Sequence, residues 1–203
     1  MNTRPRLSGV RLLLLGAPLL LAGCSTMSGL SWSSLSPLNW FSGSSSMQVT
    51  DNGVGGITAS TPLVENDIKE GLKGDYRLRS GMATNDGQLV SFYQVMKGEQ
   101  IMLVISGQPK GTVERIDVLD KGIPSQWGVT IGTPFSDLYK KAFGVCHKGT
   151  GDDIAQIECA APDSQHVSYL FNGDWHGPES LMPSDDSLQR WKVSKIIWRA
   201  KSE

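Results

Sequence analysis

Cysteine and histidine carry most of the reactive potential in this chain, which holds three of each: Cys24, Cys146 and Cys159, with His147, His166 and His176. Cys146 and Cys159 admit three chemistries. Joined as a disulfide, the default for a cysteine pair in an oxidising compartment, they would close a loop of about fourteen residues and contribute roughly 3 kcal/mol on the chain-entropy model. Cys146 could instead be a nucleophile with the adjacent His147 as its base, although sequence neighbours rarely aim their side chains at each other and no elbow motif accompanies them. A metal site of Cys146, His147, Cys159 and His166 is the third reading, at spacings that match no zinc pattern. The disulfide is the expectation; the other two stay open. Asp152 and Asp153 fall inside the same loop and read as a polar turn, not a catalytic dyad. "GVGG" at Gly53 has no strand before it and no Lys-Ser/Thr after it, so it reads as a flexible lead-in, not a phosphate cradle. With no G-x-S-x-G elbow, zincin helix or calcium loop either, the expectation is a non-enzyme without cofactor or metal.

Cys24 belongs to a different chemistry. Arg4, Arg6 and Arg11 precede an apolar run from Leu12 to Ala22, the order of charged and hydrophobic regions found in export signals. The run is too short to cross a bilayer, which takes about 20 apolar residues, and a serine-rich string follows it. Leu21-Ala22-Gly23-Cys24 resembles the bacterial lipobox. That resemblance implies cleavage before Cys24 and acylation of Cys24, with more than one chain giving stable anchoring. An ordinary secretory signal that happens to contain a cysteine is the alternative. Ser25 in place of an aspartate resembles the Gram-negative sorting signal for the outer membrane. Loss of residues 1–23 removes three arginines and no acid, so the formal charge moves from −1 to −4. Lysines and arginines scattered among carboxylates exclude a polyanion grip, and nucleic acid with it.

The elements that would position these groups fall into three regions: a signal peptide at 1–23, a serine-rich tether at 24–50 and a single domain at 51–203. The tether cannot bury enough apolar surface to order itself. It nevertheless carries Trp32, Leu35, Leu38, Trp40 and Phe41, which suit the membrane interface or a strip docked on the domain.

Within the domain, "GITASTPLVENDIKEGLKG" from Gly56 and "GVTIGTPFSDLYKKAFG" from Gly128 correspond nearly residue for residue. In each, Gly-Ile/Val-Thr reads as a short strand and Thr-Pro as an N-cap with proline at the first helical position. Helices are predicted over 62–73 and 134–143, the first burying Val64, Ile68 and Leu72, the second Phe135, Leu138, Tyr139, Ala142 and Phe143. Gly74 and Gly144 would stop them. Strands are predicted at 76–80, 88–96, 99–106 and 112–118, then at 154–160, 166–172 and 192–199. "VERIDV" from Val113 and "VSKIIW" from Val193 share their apolar positions. The fold class is α+β: a mainly antiparallel sheet with two short helices, built from a duplicated strand-helix-meander unit with halves at about 54–122 and 127–200. Convergent use of a common supersecondary pattern is the rival explanation.

One stretch lacks a counterpart. "NGDWHGPESLMPSDDSLQR", from Asn172 to Arg190, is long for a connection inside a compact domain, and such loops are often functional. Its Trp175, His176, Glu179, Asp185 and Asp186 form the candidate interaction surface, with a solvated excursion as the bland alternative.

With the lipobox, the aromatic serine tether and the paired "GITASTP" and "GVTIGTPFSDLYKKAFGVC" units in view, the mature chain resembles an uncharacterised enterobacterial lipoprotein family controlled by the envelope-stress sigma factor, sigma-E. The resemblance implies a location and a regulatory setting and transfers no catalytic residue. At fold level the tandem helix-plus-meander is also similar to the β-lactamase-inhibitor type of protein and to small outer-membrane assembly lipoproteins, which act by contact. The expected protein is anchored to the outer membrane by lipid at Cys24, faces the periplasm and binds an envelope protein. A small apolar-ligand carrier is the alternative, and a Cys/His hydrolase stands behind it.

Overall fold

Alternating apolar and polar residues recur from Arg77 to Arg199, and a computed structural model, which describes residues 47–201 except Asp86 and Glu179, gathers them into one sheet. The chain first lays down a small three-stranded sheet, β1 (Val49–Thr50), β2 (Gly53–Val54) and β3 (Ile57–Thr58), then helix α1 (Glu65–Leu72). A meander follows: β4 (Arg77–Asn85), β5 (Gln88–Lys97), β6 (Gln100–Gly107) and β7 (Arg115–Val118). The second half brings α2 (Phe135–Leu138), then β8 (Cys146–Lys148), β9 (Ile157–Ala160), β10 (Val167–Asn172), α3 (Asp185–Leu188) and β11 (Lys192–Arg199). The eight strands of the large sheet lie in the order β4-β5-β6-β7-β11-β10-β9-β8, every neighbour antiparallel.

This order is two meanders joined back to back at their closing strands, as a duplicated unit related by a local two-fold would give. The register agrees with the repeat. Aligning Val113–Val118 with Val193–Trp198 turns the pair Val118↔Ile196 into the pair Ile116↔Trp198, and both are present. Hydrogen bonds repeat as well. Thr58 N–H donates to the Thr61 hydroxyl at 3.0 Å and Thr130 N–H to the Thr133 hydroxyl at 3.2 Å. Val113 N–H donates to Thr61 O and Val193 N–H to Thr133 O, both at 2.9 Å, while Leu63 N–H to Gly111 O is matched by Phe135 N–H to Trp191 O.

Side-chain alternation sorts the sheet into two faces. Leu78, Val95, Leu103, Val118, Ile196, Tyr169, Cys159 and Cys146 form one apolar row across all eight strands. On that face pack Ile68 and Leu72 of α1 and Phe135 of α2, in a core closed by Trp191 and Trp198. The row ends on the disulfide between Cys146 and Cys159, which ties the edge strand β8 to β9. The small sheet is stitched to the large one where Trp198 Nε1 donates to Asp51 O at 3.0 Å.

The mainly antiparallel α+β class stands, and several details depart from the sequence expectation. Neither Thr61 nor Thr133 caps a helix, because each hydroxyl closes a turn by accepting the N–H three residues before it instead; α1 starts after Val64 and α2 after Pro134. The predicted helix over 134–143 stops at Leu138. Tyr139 turns extended so that its ring packs 5.2 Å from Phe135 and 5.9 Å from Phe171 and its hydroxyl donates to Ala160 O at 2.7 Å. Tertiary packing thus outweighs helical propensity, and Phe143, expected in the core, is 95% exposed. Val64 is also exposed. "GVGG" is no loose lead-in: Gly53 and Val54 form β2, and a Cβ at Gly53 would lie 1.8 Å from Ile57 O, so only glycine allows that approach. Gly128-Val129-Thr130 is not a strand, and β8 and α3 add to the predicted elements, making three α-helices among the described residues.

The sheet face opposite the core is charged. Arg115 and Arg199 lie directly across from each other on β7 and β11, a like-charge pair that carboxylates must neutralise. Arg115 Nε meets Asp117 at 2.7 Å, Lys195 meets Asp153 at 2.7 Å, and Arg199 grips Glu158 through both guanidinium nitrogens at 2.5 and 3.1 Å. Asp153, foreseen as part of a polar turn, therefore closes over this face. Burial alone would raise the Glu158 carboxyl, but hydrogen bonds from Arg199 and Ser168, with Arg199 and Arg115 charges nearby, outweigh it and hold the group below its ordinary value. A depressed native pKa means stability that is present above the unfolded value of about 4.3 and lost as pH falls through the native one.

Two outcomes are expected. Calorimetry with and without reductant should show the disulfide to be worth about 3 kcal/mol, a fall in Tm of roughly 6–12 °C for a domain of this size. Glu158→Gln should cost about 3 kcal/mol in urea unfolding at neutral pH by stranding buried positive charge, and the loss of stability below about pH 4 should be shallower than in the parent chain; equal acid profiles would remove Glu158 from the account.

Candidate functional site

The segment between β10 and β11 is largely exposed, but particular side chains fasten it to the body. Trp175 is half-buried against the core, and its indole N–H donates to Pro178 O at 3.0 Å. Gly177 makes room for it, since a Cβ there would sit 2.1 Å from the ring. His176 is exposed. Ser184 caps α3 by accepting from Ser187 N–H, and Asp185, in the first turn, accepts the Ala142 N–H at 2.8 Å. Asp185 is therefore a clamp holding the segment after α2, whereas Asp186 beside it is exposed. Glu179 and Cys24 lie outside the described residues, as do the signal peptide and the tether up to residue 46.

The clamp brings together what sequence periodicity had placed elsewhere. Phe143 is displayed one residue beyond Ala142, next to the exposed Lys140 and Lys141, while Leu181 and Met182 are exposed just before α3. Five residues that sequence patterns assign to a helix and a polar loop thus contribute apolar surface and positive charge on linked segments.

A second feature lies under the same connection. Two adjoining clefts of about 650 and 260 Å³ share Asn172, Gly173, Trp175 and Gly177. Trp191 borders the larger with His176, Arg190 and Lys192, and Lys148 borders the smaller. The pairing row Lys148, Ile157, Phe171, Val193 explains Lys148: strand alternation puts this lysine on the core face of the edge strand. Its ammonium is buried without a hydrogen-bond partner, and so is the indole N–H of Trp191. Trp191 is 2% exposed, with its N–H edge against Gly173, where a Cβ would fall 2.6 Å from Nε1. An orphaned buried donor costs about 1–3 kcal/mol, and more when charged, so two of them along one cleft system are an expense the fold does not need. Sequence reasoning missed both. Lys148 could have been found from its two-residue spacing after Cys146, had β8 been recognised.

The sulfur chemistry resolves in favour of the bond. Cys146 and Cys159 are joined, with an S–S distance of 2.10 Å, which takes both sulfurs out of nucleophilic and ligand roles. His147 and His166 border a cleft of about 200 Å³ and face backbone oxygens, of Lys148 at 2.8 Å and Arg199 at 2.9 Å. Among the described residues no three His, Cys, Asp or Glu side chains gather as metal ligands.

Residues 29–200 match the model of a family described as a protein of unknown function, DUF1131. The chain is 58% identical over 193 residues to the uncharacterized protein YfeY of Escherichia coli strain K12, an alignment that takes in 95% of this chain and all of that one. A crystal structure of the uncharacterized protein yfeY from Escherichia coli superposes with a TM-score of 0.69 at 58% identity, covering 75% of this chain and 99% of that chain. With this match over most of its length and a relative of this identity, the chain belongs to the DUF1131 family.

Proposed function

We propose that the protein is a lipid-anchored component of the bacterial envelope, held at the outer membrane through Cys24 and facing the periplasm, that works by contact with another envelope protein and not by catalysis. The observation that carries the reading is the conjunction of an export-type N-terminus ending on Leu21-Ala22-Gly23-Cys24 with a disulfide between the two remaining cysteines. Disulfides persist in oxidising compartments, so the body is chemically suited to the place the leader would send it. Induction under envelope stress belongs to the same proposal, through the family resemblance.

The contact surface is the linked pair of segments around Ala142 and Asp185. Phe143, Leu181 and Met182 are exposed apolar side chains in a region that also carries Lys140 and Lys141. Exposed apolar groups rimmed by charge are the composition of protein-binding patches. Anchoring adds to this, because confinement near the bilayer raises the effective concentration of any partner also held there. The cleft beneath the same connection carries Asp174, Arg190 and Lys192, which weighs against an apolar cargo.

Cys24→Ser should abolish acylation, read by intact mass of the mature chain, and move the chain from the membrane to the soluble periplasmic fraction; a parent chain found unacylated with its amino terminus elsewhere would end the anchor reading. For the surface, photo-crosslinkers placed at Phe143 and Met182 in cells should give a shared specific adduct that Leu89, an exposed apolar residue of the first meander, does not give. Indistinguishable adduct patterns from all three positions would reject the surface.

A further inference from the structure

The two orphaned donors bear on something the anchor and the contact surface do not use. We propose that the adjoining clefts along Asn172–Gly177 bind a small carboxylate-bearing ligand, its carboxylate paired with the Lys148 ammonium and a second oxygen accepting the Trp191 indole N–H.

Chemistry sets the ligand class. Both unsatisfied groups are donors, so the missing partners are acceptors, and one of the donors is a cation whose natural complement is an anion. The walls add Arg190, Lys192 and His176 against one acid, Asp174, a positive balance that favours an anion over a neutral or cationic ligand. Clefts of about 650 and 260 Å³ meeting along one strip suit a molecule of sugar-acid or dipeptide size. Trp175, half-buried beside both clefts, offers an apolar ring for the body of such a ligand.

The position of each donor is imposed by the fold. Lys148 is turned inward by the register of β8 on β9, and the disulfide two residues away locks that register. Trp191 is fixed by its own backbone, which donates to Leu188 O and accepts from Phe135 N–H at 2.9 and 2.8 Å. Gly173 lets the main chain lie directly on the indole. The fold therefore sets the position of both donors, and because each is covered in the ligand-free chain, an incoming oxygen must displace the backbone at Gly173 to reach the indole. The site makes no use of Cys24 and stands whether or not the chain is acylated.

The test is an NMR titration of the full ¹⁵N-labelled chain in non-ionic detergent, with the Trp191 indole N–H assigned by its loss in Trp191→Phe. The probes are two matched pairs, glucuronate against glucose and alanylalanine against its C-terminal amide, each pair differing at the carboxylate. At least one carboxylate probe should shift the Trp191 indole resonance saturably while its neutral partner does not; which pair responds tells a sugar acid from a peptide C-terminus. Lys148→Met should weaken that response at least tenfold and, by removing a buried unpaired charge, raise the Tm of the ligand-free chain by roughly 5 °C. Silence from both carboxylates, equal shifts from the neutral partners, or an unchanged response in Lys148→Met would overturn the assignment. A lower Tm in Lys148→Met would overturn it too, because the ammonium would then be a structural group. Should Trp191→Phe fail to fold, the lysine variant and the matched probes still decide.

Discussion

The seam between β7 and β11 is the constraint on which the rest of the molecule rests. Each strand closes its own meander, and pairing them is what turns two four-stranded units into one sheet. The seam is buried on its core face by Ile116, Val118, Ile196 and Trp198, and on the other face by Ile197 beneath a lattice of charges. A strand slipped by one residue would drive Arg115, Asp117 and Lys195 into the core and the isoleucines out. The charged face then cannot be read as decoration: Arg115 and Arg199 are forced together by that same register, and Glu158, Asp117 and Asp153 make the approach tolerable. One pairing thus fixes the core, the position of both helices and the need for an ion network on the outer face.

What was legible in the sequence follows from how local each signal is. The paired glycine-threonine-proline openings and the shared apolar positions of "VERIDV" and "VSKIIW" pointed to a duplication, and topology, register and hydrogen bonds repeat at those residues. The disulfide was readable from cysteine count and spacing. The second helix was not. Its apolar stripe is genuine, but Tyr139 gains more from Phe135, Phe171 and the Ala160 carbonyl than from another helical turn, and no local pattern announces a contact with a strand some twenty residues away. Thr61 and Thr133 misled for a related reason. A hydroxyl that can cap a helix can equally close the turn before it, and here the N–H three residues earlier is the donor it accepts from.

Of the interaction residues expected between Asn172 and Arg190, Trp175 and Asp185 prove to be internal fasteners, one holding its own loop and the other holding Ala142. His176 and Asp186 face solvent. Beneath the loop lie the buried Lys148 ammonium and Trp191 indole. A strand of three residues, β8, is too short for periodicity to declare itself, so the inward turn of Lys148 emerged only once the pairing with β9 was known.

The two halves also differ where the proposed cleft lies. Residues 108–114 join β6 to β7, while 173–191 join β10 to β11, and these connections occupy the same place in the repeat. By the shared register Gly111 stands where Trp191 does, since each carbonyl accepts the N–H of the corresponding residue at the start of its unit, Leu63 or Phe135. Pairing across the strands likewise sets Met82, through Ser91 and Gly107, in the place of Lys148, reached through Ile157 and Phe171. The first half therefore has glycine and an exposed methionine where the second has a buried indole and a buried ammonium. A frame that holds together in one half without those two donors does not require them for folding. Their presence in the other half, beneath the longer connection, is the asymmetry a binding site would leave on a symmetric scaffold.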